Sequence, residues 1–141
     1  KDFLFTSTLK EEGINTINEV PNIVVSQLMQ ISNLFIFPTV AEVCSNVLLE
    51  ASMAKNLLVL NEDLPSLFDF AERTAVIAYP FTSSQNIHFS GRDEVSINKL
   101  AKIIIGQIDS NKSDRQMRNV WRTHSIESIY SMLKDVIYEN K

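Results

Sequence analysis

The chain has 141 residues, 45% of them hydrophobic and 21% charged, with a formal net charge of −4. That length suits one domain burying roughly two-thirds of its unfolded surface, and the mild acidity excludes a broad electrostatic footprint for nucleic acid or anionic lipid. The single cysteine, Cys44, excludes an internal disulfide and a multi-cysteine zinc site, and no apolar run reaches the ~20 residues that cross a bilayer.

Phe3 to Thr6 reads as a strand. A chain that enters a strand at its third residue, with neither an initiating methionine nor a signal-peptide pattern, is expected to be a fragment of something larger. Leu9 to Val20 reads as a weak helix or a loop, interrupted by Gly13. Asn22 to Val25 reads as a short strand and Ser26 to Ser32 as a helix. Leu34-Phe35-Ile36-Phe37 does not alternate with polar residues, which predicts a strand buried on both faces. Ser45 to Lys55 is expected to be helical, and Leu57-Leu58-Val59-Leu60 to form a second buried strand. Pro65 suits the first turn of a short helix over Leu64 to Glu72. Thr74 to Ala78 reads as the last strand, ended by Tyr79-Pro80. The polar stretch from Phe81 to Arg92 is a loop, and three helices follow: Asp93 to Asp109, Ser113 to Trp121 and Ser125 to Tyr138.

Strands alternating with helices at this spacing predict an α/β fold, a Rossmann-like three-layer parallel sheet with a C-terminal helical tail over residues 93–141. The whole of 1–141 reads as one domain. With only three glycines, Gly13, Gly91 and Gly106, the chain holds neither a dinucleotide fingerprint nor a P-loop.

The stretch from Pro38 to Ala51 carries the chemistry. Pro38 stops a strand, and Cys44 or Ser45 is a fitting N-cap for the helix beyond it. The first-turn amides of Ser45, Asn46 and Val47 would then face the mouth of the sheet, where α/β folds bind ligands. Free donors and the helix dipole favour an anion there, phosphate above all. Glu50 lies five residues further in, roughly 7–8 Å along the axis. That is near the distance from a nucleotide's diphosphate to its ribose, so its carboxylate could accept both ribose hydroxyls. Glu42 precedes the helix, on the side where a sugar attached to the diphosphate would lie.

Glu42 and Glu50 are separated by seven residues, and this Glu-x7-Glu spacing resembles the signature of retaining GT-B glycosyltransferases, notably glycosyltransferase family four. Ile31 to Thr39 is similar to that family's strand ending in Pro-Ser or Pro-Thr before the first Glu. Leu48-Leu49-Glu50-Ala51-Ser52-Met53-Ala54-Lys55-Asn56 resembles its Leu-Leu-Glu-Ala-Met-Ala-x-Gly helix, and Leu57 to Asn61 the strand and loop that follow. The resemblance spans Val24 to about Phe70. It implies the C-terminal, donor-binding half of a GT-B fold in an enzyme that transfers a hexose from a nucleoside-diphosphate sugar with retention. By position, Glu42 would contact the donor sugar as the catalytic residue. Cys44, Ser45 and Asn46 would hold the diphosphate and Glu50 the ribose, with Thr39 also among the donor-binding residues. The resemblance further implies a separate N-terminal domain carrying the acceptor, no metal and no cofactor beyond the donor, so that this piece alone would be inactive or nearly so; the lone cysteine points to a reducing, cytoplasmic compartment. Two departures stand out. Val43-Cys44-Ser45 replaces the family's Gly-Phe-Gly, and the basic residues that neutralise the diphosphate have no aligned counterpart, Lys1 and Lys10 being unaligned candidates.

The rival reading is a non-catalytic Rossmann-like domain that keeps the fold for binding or assembly. Cys44 reads as an inert small residue, because no histidine is local to serve as its base. Asn61, Glu62 and Asp63 read as a turn before the Pro65 helix in preference to a wall of the site. His88 reads as solvated, and His124 as part of a helix junction; neither belongs to a spaced ligand set for metal. The stripe Leu100, Ile103, Ile104 and Ile108 reads as core packing, as do Trp121 and Tyr130.

Overall fold

The computed structural model describes residues 3–5, 14–16, 20–42, 45–81 and 94–139, with side chains described over 20–42, 45–81 and 98–134. Strands β1 (Phe3–Phe5) and β2 (Ile14–Thr16) pair in parallel. A second sheet follows, built from β3 (Leu34–Phe37), β4 (Leu57–Asn61) and β5 (Ile77–Tyr79), all parallel, in the order β3-β4-β5. Leu34 pairs with Leu57 and Val59 with Ile77, so the three strands end at one edge. Helices α1 (Asn22–Ile31) and α2 (Asn46–Met53) precede β3 and β4. Helices α3 (Glu94–Ile105), α4 (Lys112–His124) and α5 (Ile126–Glu139) form the tail. The fold is thus α/β with an open parallel sheet.

The sheet has a distinct core on each face. Leu58 and Leu60 of β4 join Met29 of α1, Leu48 and Ala51 of α2, and Leu67. Leu57 and Val59 join Ile77 and Phe81, against which Leu100, Ile103 and Ile104 of α3 pack. All five residues of β4 are buried, because the strand is central and covered on both sides. The edge strand β3 is half-buried throughout, less than its unbroken apolar run predicts. Phe35 and Phe37 face the α1–α2 side with their rings stacked 5.7 Å apart, while Leu34 and Ile36 face the α3 side.

Several expectations fail for local reasons. Residues 22–25 are helical, although Ile23-Val24-Val25 is β-branched. The Pro21 carbonyl accepts the amides of Val24 and Val25, and Val25 and Met29 recur at helical spacing on the side that meets the core. That leaves Ile23 exposed. Residues 14–16 form a strand inside the stretch expected to be helix or loop, in keeping with β-branched Ile14 and Thr16. The short helix expected from Leu64 to Glu72 is a 3-10 helix, Pro65–Asp69. Its successor does not continue into a strand at Thr74, because Arg73–Ala75 forms a second 3-10 turn. There Lys112 Nζ donates to the carbonyls of Thr74 and Val76 at 3.0 Å, drawing them toward α4. Trp121 and Tyr130 are not core residues: α4 turns Gln116 and Val120 inward, which sets Trp121 outward, and Tyr130 lies exposed on α5. Ile108, beyond the end of α3, is also exposed, unlike the rest of its stripe. The polar stretch 82–93 and His88 lie outside the described residues.

Helix α4 is fastened to the body chiefly through Gln116, which is fully buried. Its Oε1 accepts the Glu72 amide at 2.9 Å, and its Nε2 donates to the Phe70 carbonyl at 3.0 Å and to Ser52 Oγ at 3.3 Å. Around it lie exposed ion pairs, Lys55 with Asp114 and Arg115 with Glu72. The Thr74 hydroxyl, with Arg115, holds the Glu72 carboxyl below the ordinary carboxylate range. The hydrogen bond and charge of Lys55 do the same for Asp114.

Helix α2 ends in a Schellman arrangement. The Lys55 amide donates to the Ser52 carbonyl and the Asn56 amide to the Ala51 carbonyl. Lys55 takes the left-handed conformation, φ 60°, that glycine occupies at this position most cheaply. Replacing Lys55 with glycine is therefore expected to stabilise the chain by ~0.5–1 kcal/mol: the relief of left-handed strain outweighs the added unfolded-chain entropy and the lost exposed ion pair. Urea denaturation reads this as a higher midpoint at unchanged slope; a lower midpoint would contradict it.

Candidate functional site

The parallel register brings three strand exits to one edge: Pro38 to Glu42 after β3, Asn61 at the end of β4 with Glu62 to Leu64 beyond it, and Pro80 and Phe81 after β5. The first exit leads into α2 through Ser45. Thr39, Glu42, Ser45 and Asn46 therefore lie along one loop-to-helix connection, as their order predicts. Val43 and Cys44 lie outside the described residues.

Thr39 shapes the start of this connection with its own side chain. Its Oγ1 donates to the Ala41 carbonyl at 2.9 Å and accepts the Ala41 amide at 3.4 Å. Glu42 is half-buried, and its carbonyl accepts the Ser66 hydroxyl at 2.7 Å. Ser45 occupies the N-cap position of α2 without capping it: its side chain makes no bond to its own helix. Its carbonyl accepts the Leu48 amide at 3.1 Å. The hydroxyl is buried, the residue being 2% exposed, and Oγ has no hydrogen-bond partner among the described residues.

A buried hydroxyl without a partner costs about 1–3 kcal/mol, so it marks a place where a ligand or water can contribute a bond. Its position at a helix N-terminus gives that ligand a sign. The Leu48 amide is taken by the Ser45 carbonyl, but the Asn46 and Val47 amides ahead of it have no acceptor within the helix, and the helix dipole adds partial positive charge. An anion fits both. Asn46 and Glu50 are exposed on the outer side of α2, away from Leu48, Ala51 and Ser52, which are buried. Glu50 thus stands one helical turn beyond the terminus with its carboxylate reachable from solvent.

The turn expected at Asn61, Glu62 and Asp63 is present. Asn61 Oδ1 accepts the Asp63 amide at 3.2 Å, an Asx turn. Yet Asn61 does more than turn the chain. It is 1% exposed, its Nδ2 donates to the Thr39 carbonyl at 3.0 Å, and Oδ1 also accepts the Phe81 amide at 3.2 Å. Neither Asn61 nor Ser66 stands out in sequence as a partner of the Glu42 loop. The available signal is a carboxamide closing an otherwise apolar buried strand, where an unpaired polar group would be costly. Arg73 is a basic side chain tied to the same edge, through Glu62 at 3.6 Å and over the Phe68 ring at 3.9 Å. His124 sits at the helix junction as expected, its ring 5.6 Å from that of Phe70.

Among the described residues no group of three His, Cys, Asp or Glu side chains could hold a metal ion, and no helix is long and apolar enough to cross a membrane. No protein-family model, curated protein or solved structure matches the chain.

Proposed function

We propose that this edge is the donor site of a retaining glycosyltransferase, the nucleotide-sugar-binding half of a GT-B enzyme that transfers a hexose to an acceptor held by a second domain. The observation that carries the reading is the buried Ser45 hydroxyl at the N-terminus of α2, without a partner among the described residues and set between Glu42 and Glu50. In this reading Ser45 and the first-turn amides, with Cys44, Asn46 and Thr39 alongside, receive the diphosphate. Glu50 accepts the ribose hydroxyls, and Glu42 orients the hexose. Departure of the diphosphate builds negative charge where the helix terminus already points its donors. Such preorganised donors lower the barrier without reorganising during reaction.

Assembly is the second reading, and the exposed Trp121, Ile126, Tyr130 and Leu133 of α4 and α5 favour it. A binding domain derived from such an enzyme would retain the sheet and use this helical face instead.

Calorimetric or NMR titration with UDP, GDP and ADP separates the two. The donor reading expects one nucleotide to bind in preference to the others, and Glu50→Ala to weaken it by ~10-fold or more, the loss of charge-assisted bonds to ribose. Ser45→Ala should also weaken it. No binding of any nucleotide at millimolar concentration would remove the donor reading.

A further inference from the structure

We infer that the Thr39–Glu42 loop is positioned by a two-point clamp, the side chains of Asn61 and Ser66, both supplied by the segment that leaves β4. Each fastens a main-chain carbonyl of the loop from outside it: Asn61 Nδ2 the Thr39 carbonyl at 3.0 Å, and Ser66 Oγ the Glu42 carbonyl at 2.7 Å. Thr39 Oγ1 closes the short span between them on itself. The loop thus has an anchor at its first residue and another at the residue carrying the first carboxylate.

Asn61 is suited to this in a way no other side chain of its size is. One end must donate to a carbonyl, and the other must accept two amides, those of Asp63 and Phe81. Aspartate would present acceptors on both ends, and leucine would present neither. The same carboxamide therefore ties the exits of all three strands together, and it is almost fully buried, where its bonds do not compete with water. Ser66 reaches the loop from the 3-10 helix that Pro65 opens.

The clamp makes Asn61 and Ser66 positioning residues for whatever meets Glu42. Its effect on nucleotide affinity rests on the donor reading; its effect on the loop does not. The test uses the full chain with Ser66→Ala and Asn61→Asp, compared with wild type by amide NMR and by titration with UDP, GDP and ADP. Both variants are expected to move the Ala41 and Glu42 amide signals while leaving those of α5 in place. Asn61→Asp should also move Phe81. Affinity for the preferred nucleotide should fall ~5–10-fold in each, the loss of one positioning hydrogen bond. Because both act on one short loop, the double variant should lose less than the product of the two. Unmoved Ala41 and Glu42 signals in Ser66→Ala, a variant that removes a single half-buried hydroxyl, would overturn the clamp. So would moved signals with unchanged affinity in a chain whose wild type binds. Failure of the wild type to bind any nucleotide would instead count against the donor reading, with the NMR signals still deciding the clamp.

Discussion

Replacing Leu58 with alanine is expected to cost about 3 kcal/mol of stability, within the ~2–5 kcal/mol seen for buried leucine truncations. Leu58 is fully buried on the central strand, and its side chain meets the cluster formed by Met29, Leu48, Ala51, Leu60 and Leu67. Strands on both sides and helices above leave the site little room to collapse, so lost dispersion and a residual cavity add to the lost transfer free energy. The total matters because domains of this size are held by only ~5–15 kcal/mol. Leu133→Ala on α5 is the control: the residue is 54% exposed, and truncation there should change stability by no more than ~0.5 kcal/mol. Urea denaturation of the two variants side by side checks the pair. Equal midpoints would mean that β4 is not the covered centre of the sheet.

Gln116→Leu is expected to be nearly as damaging, about 3 kcal/mol, although leucine is close to glutamine in size and more apolar. The loss is not one of volume. Leucine would leave the Glu72 amide and the Phe70 carbonyl without the partners that Gln116 provides, each at about 1–3 kcal/mol. Ser52 would fare better, since its hydroxyl still donates to the Leu48 carbonyl at 2.6 Å. A hydrophobic accounting predicts the reverse, a gain from burying an apolar side chain in place of a polar one. The sign of the change in chemical denaturation therefore decides which term governs the α2–α4 contact, and a stabilised variant would refute the hydrogen-bond account.

The parts of this architecture that were legible in sequence are those set by composition over several residues. The apolar runs Leu34 to Phe37 and Leu57 to Leu60 are strands because little else can hide them on two faces. The three tail helices follow their periodicity. The loop-to-helix order around Glu42, Ser45 and Glu50 was readable because it is local. Failures came where a distant group decided a local structure. The Val24–Val25 segment has strand propensity but helical partners, with Met29 anchored in the core beside it. Thr74 stays out of β5 because Arg73–Ala75 forms a 3-10 turn, where Lys112, far along the chain, donates to the Thr74 carbonyl. Trp121 reads as core by default, whereas the residues that face inward on α4 are a glutamine and a valine. The clamp was invisible for the same reason, since Asn61 and Ser66 act on carbonyls 22 and 24 residues earlier.

The stitch made by Gln116 has a consequence for the order of events in folding. Its partners on α2 and after β4 precede it by as much as 64 residues, so the α2 face of the sheet cannot be completed until most of the chain is present. A loop of that length is entropically costly to close before the contacts that reward it exist. The sheet and α4 should therefore become stable together, in one late step, with β3 and β4 pairing in advance through a much shorter crossover.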